Sequence, residues 1–115
     1  MPAESLITVT DATFASTLAE AGAPVVIDVW AEWCPPCRPM AHVLGELAEE
    51  FRGQVLIGKL DADANPATVR DYRVTSMPTL LFFTGGVLTG TIVGARPKSM
   101  LRQALANAVT PYVNR

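Results

Sequence analysis

The stretch VVIDVWAEWCPPCRPM, residues 25–40, places two cysteines between a predicted strand and a predicted helix. The apolar run at residues 25–31 hardly alternates with polar residues, which is typical of a strand buried on both faces. From Met40 to Phe51 apolar residues recur at helical spacing, and Gly53 ends that helix. The stretch therefore predicts a strand, a short segment that carries the cysteines, and a long helix.

The rest of the chain continues to alternate strands and helices. Thr10 or Asp11 can cap a first helix, and Asn65-Pro66 is a cap and first-position signal for a later one. Gly85-Gly86 joins the last two strands as an antiparallel hairpin. We predict further strands at residues 6–9, 55–61, 79–83 and 88–93, and further helices around residues 14–21, at residues 66–72 and from Pro97 onward.

This order, βα-βαβα-ββα, indicates an α/β fold. A strand, a helix and a second strand in succession imply a parallel pair crossed over by the cysteine-bearing helix. The late hairpin adds antiparallel strands, so we expect a central mixed sheet flanked by helices on both faces. At 115 residues the chain is expected to form a single domain, residues 1–115.

Composition and charge narrow the classes of partner. Only 17% of the residues are charged, and the net charge is −2 with no basic block and no acidic tail. This balance argues against nucleic acid or an anionic membrane as the main partner. No apolar run approaches the roughly 20 residues that a membrane-spanning helix needs. Residues 1–5 lack the charge and apolar order of a secretion signal, so we expect a cytoplasmic protein.

Cys34 and Cys37 are the only cysteines, and their spacing favours chemistry over scaffolding. A two-residue gap closes too small a loop to restrain an unfolded chain much. A lone C-x-x-C in a reducing compartment is more often metal-binding or redox-active. Zinc prefers four ligands, and beside this pair there is one distant His42, so a metal would need two pairs pooled in a dimer. A covalent haem signature needs histidine where Arg38 stands. Dithiol chemistry is the favoured interpretation.

The two prolines between the cysteines predict different roles for the two sulfurs. Pro35 holds Cys34 in extended backbone, because a residue before proline disfavours the helical region. Pro35 and Pro36 suit the first helical positions, so Cys34 should lie at the amino end of the helix. There the helix dipole and the free N–H of Cys37 would stabilise a thiolate. We predict that Cys34 attacks a substrate disulfide and that Cys37 then attacks Cys34 and releases the reduced substrate.

Several segments together resemble the thioredoxin family. They are DVWAEWCPPCR at residues 28–38, KLDADANP at 59–66, YRVTSMPTLLFF at 72–83 and IVGA at 92–95. The resemblance implies a protein-disulfide reductase of thioredoxin-like fold that works as a monomer on disulfide-containing proteins. It needs no bound cofactor and no metal. The chain lacks a Gly-rich dinucleotide fingerprint, so its electrons are expected from a separate thioredoxin reductase.

The resemblance also assigns roles to residues outside the cysteine pair. Asp28 would be the buried acid that exchanges a proton with Cys37, since burial should raise its pKa; the alternative is a strand acid at a solvated edge. Lys59 would lie near that acid, or be an ordinary exposed lysine. Met77-Pro78 would form a cis bond beside the cysteines. An apolar docking surface around Cys34 would then comprise Trp33, Met77, Pro78, Gly94 and Ala95, with Trp30 the better candidate for core packing.

The chain departs from the family pattern at three positions. Pro35 stands where glycine is usual, and it removes an N–H and stiffens the turn. With Pro36 it is expected to tune the pair toward a more reducing potential. His42 replaces a helix-kinking proline and is interpreted as a partly exposed helical histidine. Met77 replaces Ile, Val or Thr, which could shift the range of substrates.

Two alternative functions remain open from the sequence. One is a disulfide oxidant or isomerase outside the cytoplasm, and a signal peptide on the gene product would favour it. The other is a binding or scaffold module of the same fold, including a dimer that pools its cysteines on a metal.

Overall fold

The structure, a computed structural model, describes residues 5–113, with side chains described through residue 109. Residues 1–4, on which the expectation about a secretion signal depends, lie outside the described residues. The strands are β1 (Ile7–Thr8), β2 (Val25–Trp30), β3 (Leu56–Asp61), β4 (Thr79–Thr84) and β5 (Val87–Val93). The helices are α1 (Phe14–Glu20), α2 (Cys37–Glu50), α3 (Pro66–Asp71) and α4 (Lys98–Val113).

The five strands form one mixed sheet in the order β1-β3-β2-β4-β5. β1 and β2 both pair with β3 in parallel, and β4 is antiparallel to β2 and β5. Helix α2 is the crossover between the parallel strands β2 and β3, as predicted. Gly85 and Gly86 turn the β4–β5 hairpin with φ angles of 58° and 80°, which side chains other than glycine rarely adopt. The predicted fold class is confirmed.

The sheet carries an apolar core on each face. On one face α2 and α4 pack against the strands through Leu44, Leu47, Leu101 and Leu105. On the other face α1 and α3 pack against β2 and β4. There the rings of Phe14, Tyr72 and Phe83 meet with centroids 5.3–5.5 Å apart. Helices therefore cover both faces, and β2, enclosed between them, is buried along its length except for the partly buried Trp30.

The residues predicted to cap helices do not cap the helices for which they were predicted. Helix α1 begins only at Phe14 without a side-chain cap, because Thr10 instead bonds with Thr13 in the preceding turn. Asp11 caps α3 rather than α1: its carboxylate accepts from the N–H groups of Ala67 and Thr68 at 3.0 and 2.9 Å. The carboxylate thus satisfies amides that would otherwise be unpaired at the start of α3.

Asn65 stands at the N-cap position of α3 but does not cap that helix with its side chain. Its Oδ1 accepts from the N–H of Asp11, and its Nδ2 donates to the carbonyl of Asp61. The side chain therefore ties the end of β3 to the segment before α1.

Strand directions bring four chain segments to one end of the sheet. β2, β3 and β5 run the same way, so their carboxyl ends lie together, and β4 starts there because it runs antiparallel. The cysteine pair follows β2, and Pro78 immediately precedes β4. No helix among residues 5–113 is long and apolar enough to cross a membrane.

Candidate active site

Cys34 and Cys37 form a disulfide between the end of β2 and the first turn of α2. Their Cα atoms are 5.4 Å apart, and the two residues are 3% and 2% exposed. Helix α2 begins at Cys37 with Pro36 at its N-cap, so Pro35 and Pro36 precede the helix rather than open it. The sequence predicted a free N–H on Cys37, and this is wrong for the disulfide form. That N–H donates to the carbonyl of Cys34 at 3.1 Å, because the turn closes on itself.

The loop before β4 lies against the disulfide. The Met77-Pro78 bond is cis, as the resemblance implied and as local sequence could not establish. Met77 is partly buried and packs against the cluster of Ala31, Cys34 and Cys37. The N–H of Gly94 donates to the carbonyl of Pro78 at 2.8 Å, which fixes the end of β5 to this loop.

Trp33 projects from the site, whereas Trp30 is partly buried against the cysteine cluster. The Trp33 side chain is 62% exposed, and its indole Nε1 donates to Asp63 Oδ2 at 2.8 Å. Asp63 is held in turn, because its N–H donates to Asp61 Oδ1 at 3.0 Å. Sequence reasoning missed Asp63, although the parallel pairing of β2 and β3 places the loop after β3 beside the cysteine segment. An exposed indole with a fixed orientation is a suitable surface for docking.

The remaining docking candidates lie at the end of β5. Gly94 is partly exposed and Ala95 is exposed. Through the Gly94–Pro78 hydrogen bond they adjoin Met77 and so the disulfide. The structure thus brings Met77, Pro78, Gly94 and Ala95 together beside the disulfide, although Pro78 is itself buried, while Trp33 directly precedes Cys34 in the chain. The role of these five residues in docking stays a prediction.

Asp28 is a fully buried carboxyl in the middle of β2. It is 0% exposed, and neither of its oxygens has a hydrogen-bond partner among the described residues. Burial raises the pKa of Asp28 to about 7, and the nearby charge of Lys59 opposes this rise. Lys59 is partly buried and stands directly opposite Asp28 in the parallel β2–β3 register. The alternative interpretation of Asp28 as an acid at a solvated edge is wrong.

A cavity of about 120 Å³ adjoins both the buried acid and one of the two cysteines. Asp28 and Cys37 both line it, together with Lys59, Glu32 and Arg38. Cys34 is not among its lining residues. The two sulfurs therefore differ in their surroundings: one adjoins the carboxyl, and the other follows the exposed Trp33.

His42 is not among the residues that line this cavity. Its side chain is 55% exposed on α2, with Nε2 3.6 Å from a carboxylate oxygen of Glu46 one turn later. This matches the interpretation as a partly exposed helical histidine. In the part of the chain that the structure describes, no group of three or more His, Cys, Asp or Glu residues could hold a metal ion.

Comparison with known proteins agrees with this geometry. A sequence model of the thioredoxin family matches residues 5–107. The chain belongs to the thioredoxin family. It is 44% identical over 108 residues to a thioredoxin of Mycobacterium tuberculosis, covering 94% of this chain and 92% of that protein. It is 43% identical over 97 residues to thioredoxin 1 of Synechococcus elongatus, covering 84% and 91%.

A further relative is the bifunctional thioredoxin reductase/thioredoxin of Mycobacterium leprae. The identity is 44% over 108 residues, which is 94% of this chain but only 23% of that protein. As a thioredoxin-family member with a cysteine pair at disulfide distance, the chain is a thiol-disulfide oxidoreductase with protein-disulfide reductase activity. The alternatives of an oxidant or a scaffold are not favoured.

Proposed function

We propose that Cys34 is the attacking thiolate and Cys37 the resolving thiol of this thioredoxin-family protein. The observation that carries the proposal is the asymmetry of the pair: Cys37 shares a cavity with buried Asp28, whereas Cys34 does not. The resolving thiol must lose a proton inside the complex with substrate, where bulk water has poor access. A carboxylate in the same cavity supplies that proton acceptor.

The exchange proceeds in two balanced steps. In the first, the Cys34 thiolate attacks one substrate sulfur, forming a mixed disulfide and releasing the other sulfur as a thiolate that takes up a proton. In the second, Cys37 gives its proton to Asp28 and attacks the Cys34 sulfur. The mixed disulfide breaks, the second substrate sulfur leaves as a thiolate, and Cys34–Cys37 closes. Two electrons have passed from the protein to the substrate.

Asp28 and Lys59 are proposed to act together in the second step. With a pKa of about 7, Asp28 is ionised in a substantial fraction of molecules near neutral pH and can therefore accept a proton. Lys59 favours the ionised form by Coulomb attraction, so it keeps part of the population ready to act as base.

Substrates are proposed to dock as extended segments on the surface formed by Trp33, Met77, Pro78, Gly94 and Ala95. The support is the exposed indole of Trp33 and the position of Met77 against the cysteine cluster. An extended segment can add its backbone to the loop before β4 in the manner of an added strand. Pro35 and Pro36 are proposed to tune the potential of the pair.

The electron source is proposed to be a separate thioredoxin reductase, with no prosthetic cofactor or metal on this chain. The name of the Mycobacterium leprae relative joins a reductase and a thioredoxin in one protein, which supports such a pairing. We propose that residues 1–115 form one domain and that the protein acts as a monomer in the reducing cytoplasm. A net charge of −2 gives no support to nucleic acid or membrane as a partner.

Trapping of mixed disulfides distinguishes the proposed roles of Cys34 and Cys37. Cys37→Ser is expected to accumulate a mixed disulfide between Cys34 and a protein that has one accessible disulfide, because the resolving step is lost. Cys34→Ser should accumulate none, and the double serine variant is the control for non-specific adducts. Intact mass spectrometry counts the adducts. Equal trapping by both single variants would overturn the assignment.

The reduction potential of the Cys34–Cys37 pair tests whether the protein acts as a reductant or as an oxidant. Equilibration against a dithiol buffer should give a value near about −270 mV or below, as expected of a reductant. A value of about −120 to −180 mV, the range of oxidants and isomerases, would contradict the reductase proposal.

A further inference from the structure

Charged residues lie on opposite sides of the cysteine pair, in an order set by the sheet. The strand order β3-β2-β4-β5 places at one sheet end, in succession, the loop after β3, the cysteines after β2, Pro78 before β4 and the segment after β5. Neighbouring strands are about 4.8 Å apart. Asp61 at the end of β3 and Asp63 in the loop after it are thus on one side of Cys34, and Arg96 is on the other.

The side of β3 carries three carboxylates, and the cations Lys59 and Arg38 line one cavity with the first of them, Glu32. Glu32 and Asp63 are exposed, and Asp61 is partly exposed. Asp63 holds the indole of Trp33, and Asp61 accepts the N–H of Asp63, but these are contacts with neutral groups. None of the three carboxylates has an ion-pair partner among residues 5–113.

The side of β5 carries a cation, Arg96, beside the docking surface. Arg96 follows Gly94-Ala95 directly, and its Nη1 donates to the carbonyl of Ala95 at 3.0 Å. The same atom lies 3.2 Å from the point where a Cβ on Gly94 would stand, so the guanidinium lies against the docking surface. No carboxylate among the described residues pairs with Arg96.

The neighbouring cations of α4 are already paired. Lys98 lies 2.9 Å from a carboxylate oxygen of Glu46, and Arg102 lies 2.8 Å from one of Glu50. These pairs join α4 to α2. Arg96 thus differs from Lys98 and Arg102 in keeping its charge available beside the docking surface.

We propose that this charge arrangement makes Arg96 a specificity-determining residue for disulfide partners that carry a carboxylate beside the attacked cysteine. The carboxylate lies on the side that faces Gly94, where Arg96 binds it. A carboxylate on the other side faces Glu32, Asp61 and Asp63 and is repelled. The inference rests on the proposed docking of an extended segment. An exposed ion pair contributes about 0.2–1 kcal/mol, so its presence should change rates by about 1.4- to five-fold.

Three synthetic substrates test the inference. Each is a short peptide joined to an identical copy by one disulfide, so attack on either sulfur is equivalent. One peptide has glutamine two residues before and two after the cysteine, the second has glutamate before it, and the third has glutamate after it. The reduced protein is mixed with each substrate in a single turnover, and the release of peptide thiol gives the second-order rate constant.

Relative to the glutamine peptide, one glutamate peptide should react about 1.4- to five-fold faster and the other more slowly. Arg96→Glu should make the faster peptide slower than the glutamine peptide, and Arg96→Gln should remove its advantage. Half-molar sodium chloride should shrink these differences in the unchanged protein, because exposed charges are screened.

Arg52→Glu is the matched control, since it makes the same charge change at the far end of α2. Fourteen residues of helix separate the two ends, a distance of about 20 Å. This variant should keep the wild-type order of rates. Equal rates for all three peptides, or the same order in Arg96→Glu as in the wild type, would overturn the inference alone. Failure to reduce any of the peptides would contradict the proposed function itself.

Discussion

Asp28→Asn is expected to remove a pH-dependent loss of stability from the disulfide form of the protein. The carboxyl is fully buried and has no hydrogen-bond partner in the described part of the chain, so its charged form is disfavoured in the folded state. Asparagine has nearly the same shape and does not ionise. The disulfide form is the right one to study, because its cysteines do not titrate.

The expected magnitude follows from two pKa values. Burial raises the pKa of Asp28 from 3.8 to about 7. At 1.36 kcal/mol for each pH unit, this difference corresponds to about 4 kcal/mol in the free energy of unfolding. Any constant cost of burying the asparagine amide shifts the variant's curve vertically and does not change this difference between low and high pH.

The sign is fixed by which state holds the proton. Between pH 3.8 and about 7 the folded state keeps the proton on Asp28, whereas the unfolded state has released it. The contribution of Asp28 is therefore most favourable below pH 3.8, and stability falls through this window as pH rises. Above about pH 7 both states are ionised and the loss is complete. The Asn variant should gain about 4 kcal/mol relative to the wild type between pH 3.5 and pH 8.5.

Urea unfolding of the oxidised protein at half-unit pH intervals measures this gain. Glu20→Gln is the control, because it removes an exposed carboxyl on α1 and should follow the wild-type pH profile. If the Asp28→Asn and wild-type profiles stay parallel across the whole range, the carboxyl is solvated in the folded protein and the reasoning fails.

Three further substitutions test other parts of the structure. Asp11→Ala should lower the melting temperature in calorimetry, since it leaves the Thr68 amide without its capping carboxylate, and an unchanged temperature would contradict the cap. Gly58→Ala places a Cβ 2.8 Å from a methyl carbon of Val9, so guanidinium titration should find a loss of about 1–3 kcal/mol, and a neutral result would mean that the strand shifts freely. Pro35→Gly restores a backbone N–H and loosens the turn, so the reduction potential should become less negative; a more negative value would reverse the proposed tuning.

The order of elements was predictable because local patterns decide it. The unbroken apolar run of β2 predicted burial on both faces, and the glycine pair predicted the hairpin. The caps were not predictable by the same route. The carboxylate of Asp11 can accept from any N–H within reach, and the preferred donors at Ala67 and Thr68 lie 56 and 57 residues away. A local rule finds the right residue type and misses the remote partner.

In the candidate site, too, features set by local sequence were predictable, whereas contacts between remote residues were not. The cysteine spacing and the odd position of Asp28 within an apolar strand were visible in the sequence. The cis bond before Pro78 was expected from the resemblance alone, because most bonds before proline are trans. Asp63 was missed because its role depends on the approach of the loop after β3 to Trp33, a contact across 30 residues.

The burial of Asp28 both destabilises the fold and suits the carboxyl to its proposed role as a base. A carboxyl in solvated surroundings would cost the fold nothing, but its pKa near 4 would make it a weak base for a thiol. Burial in β2 raises the pKa to about 7 and thereby lowers the stability above that pH. Lys59, opposite in the sheet register, limits the rise, so that the acid is still ionised in part of the population at neutral pH. A change that fully relieves the burial of Asp28 should therefore stabilise the protein and slow the resolving step together, whereas a gain in stability elsewhere in the sheet should leave that step unchanged.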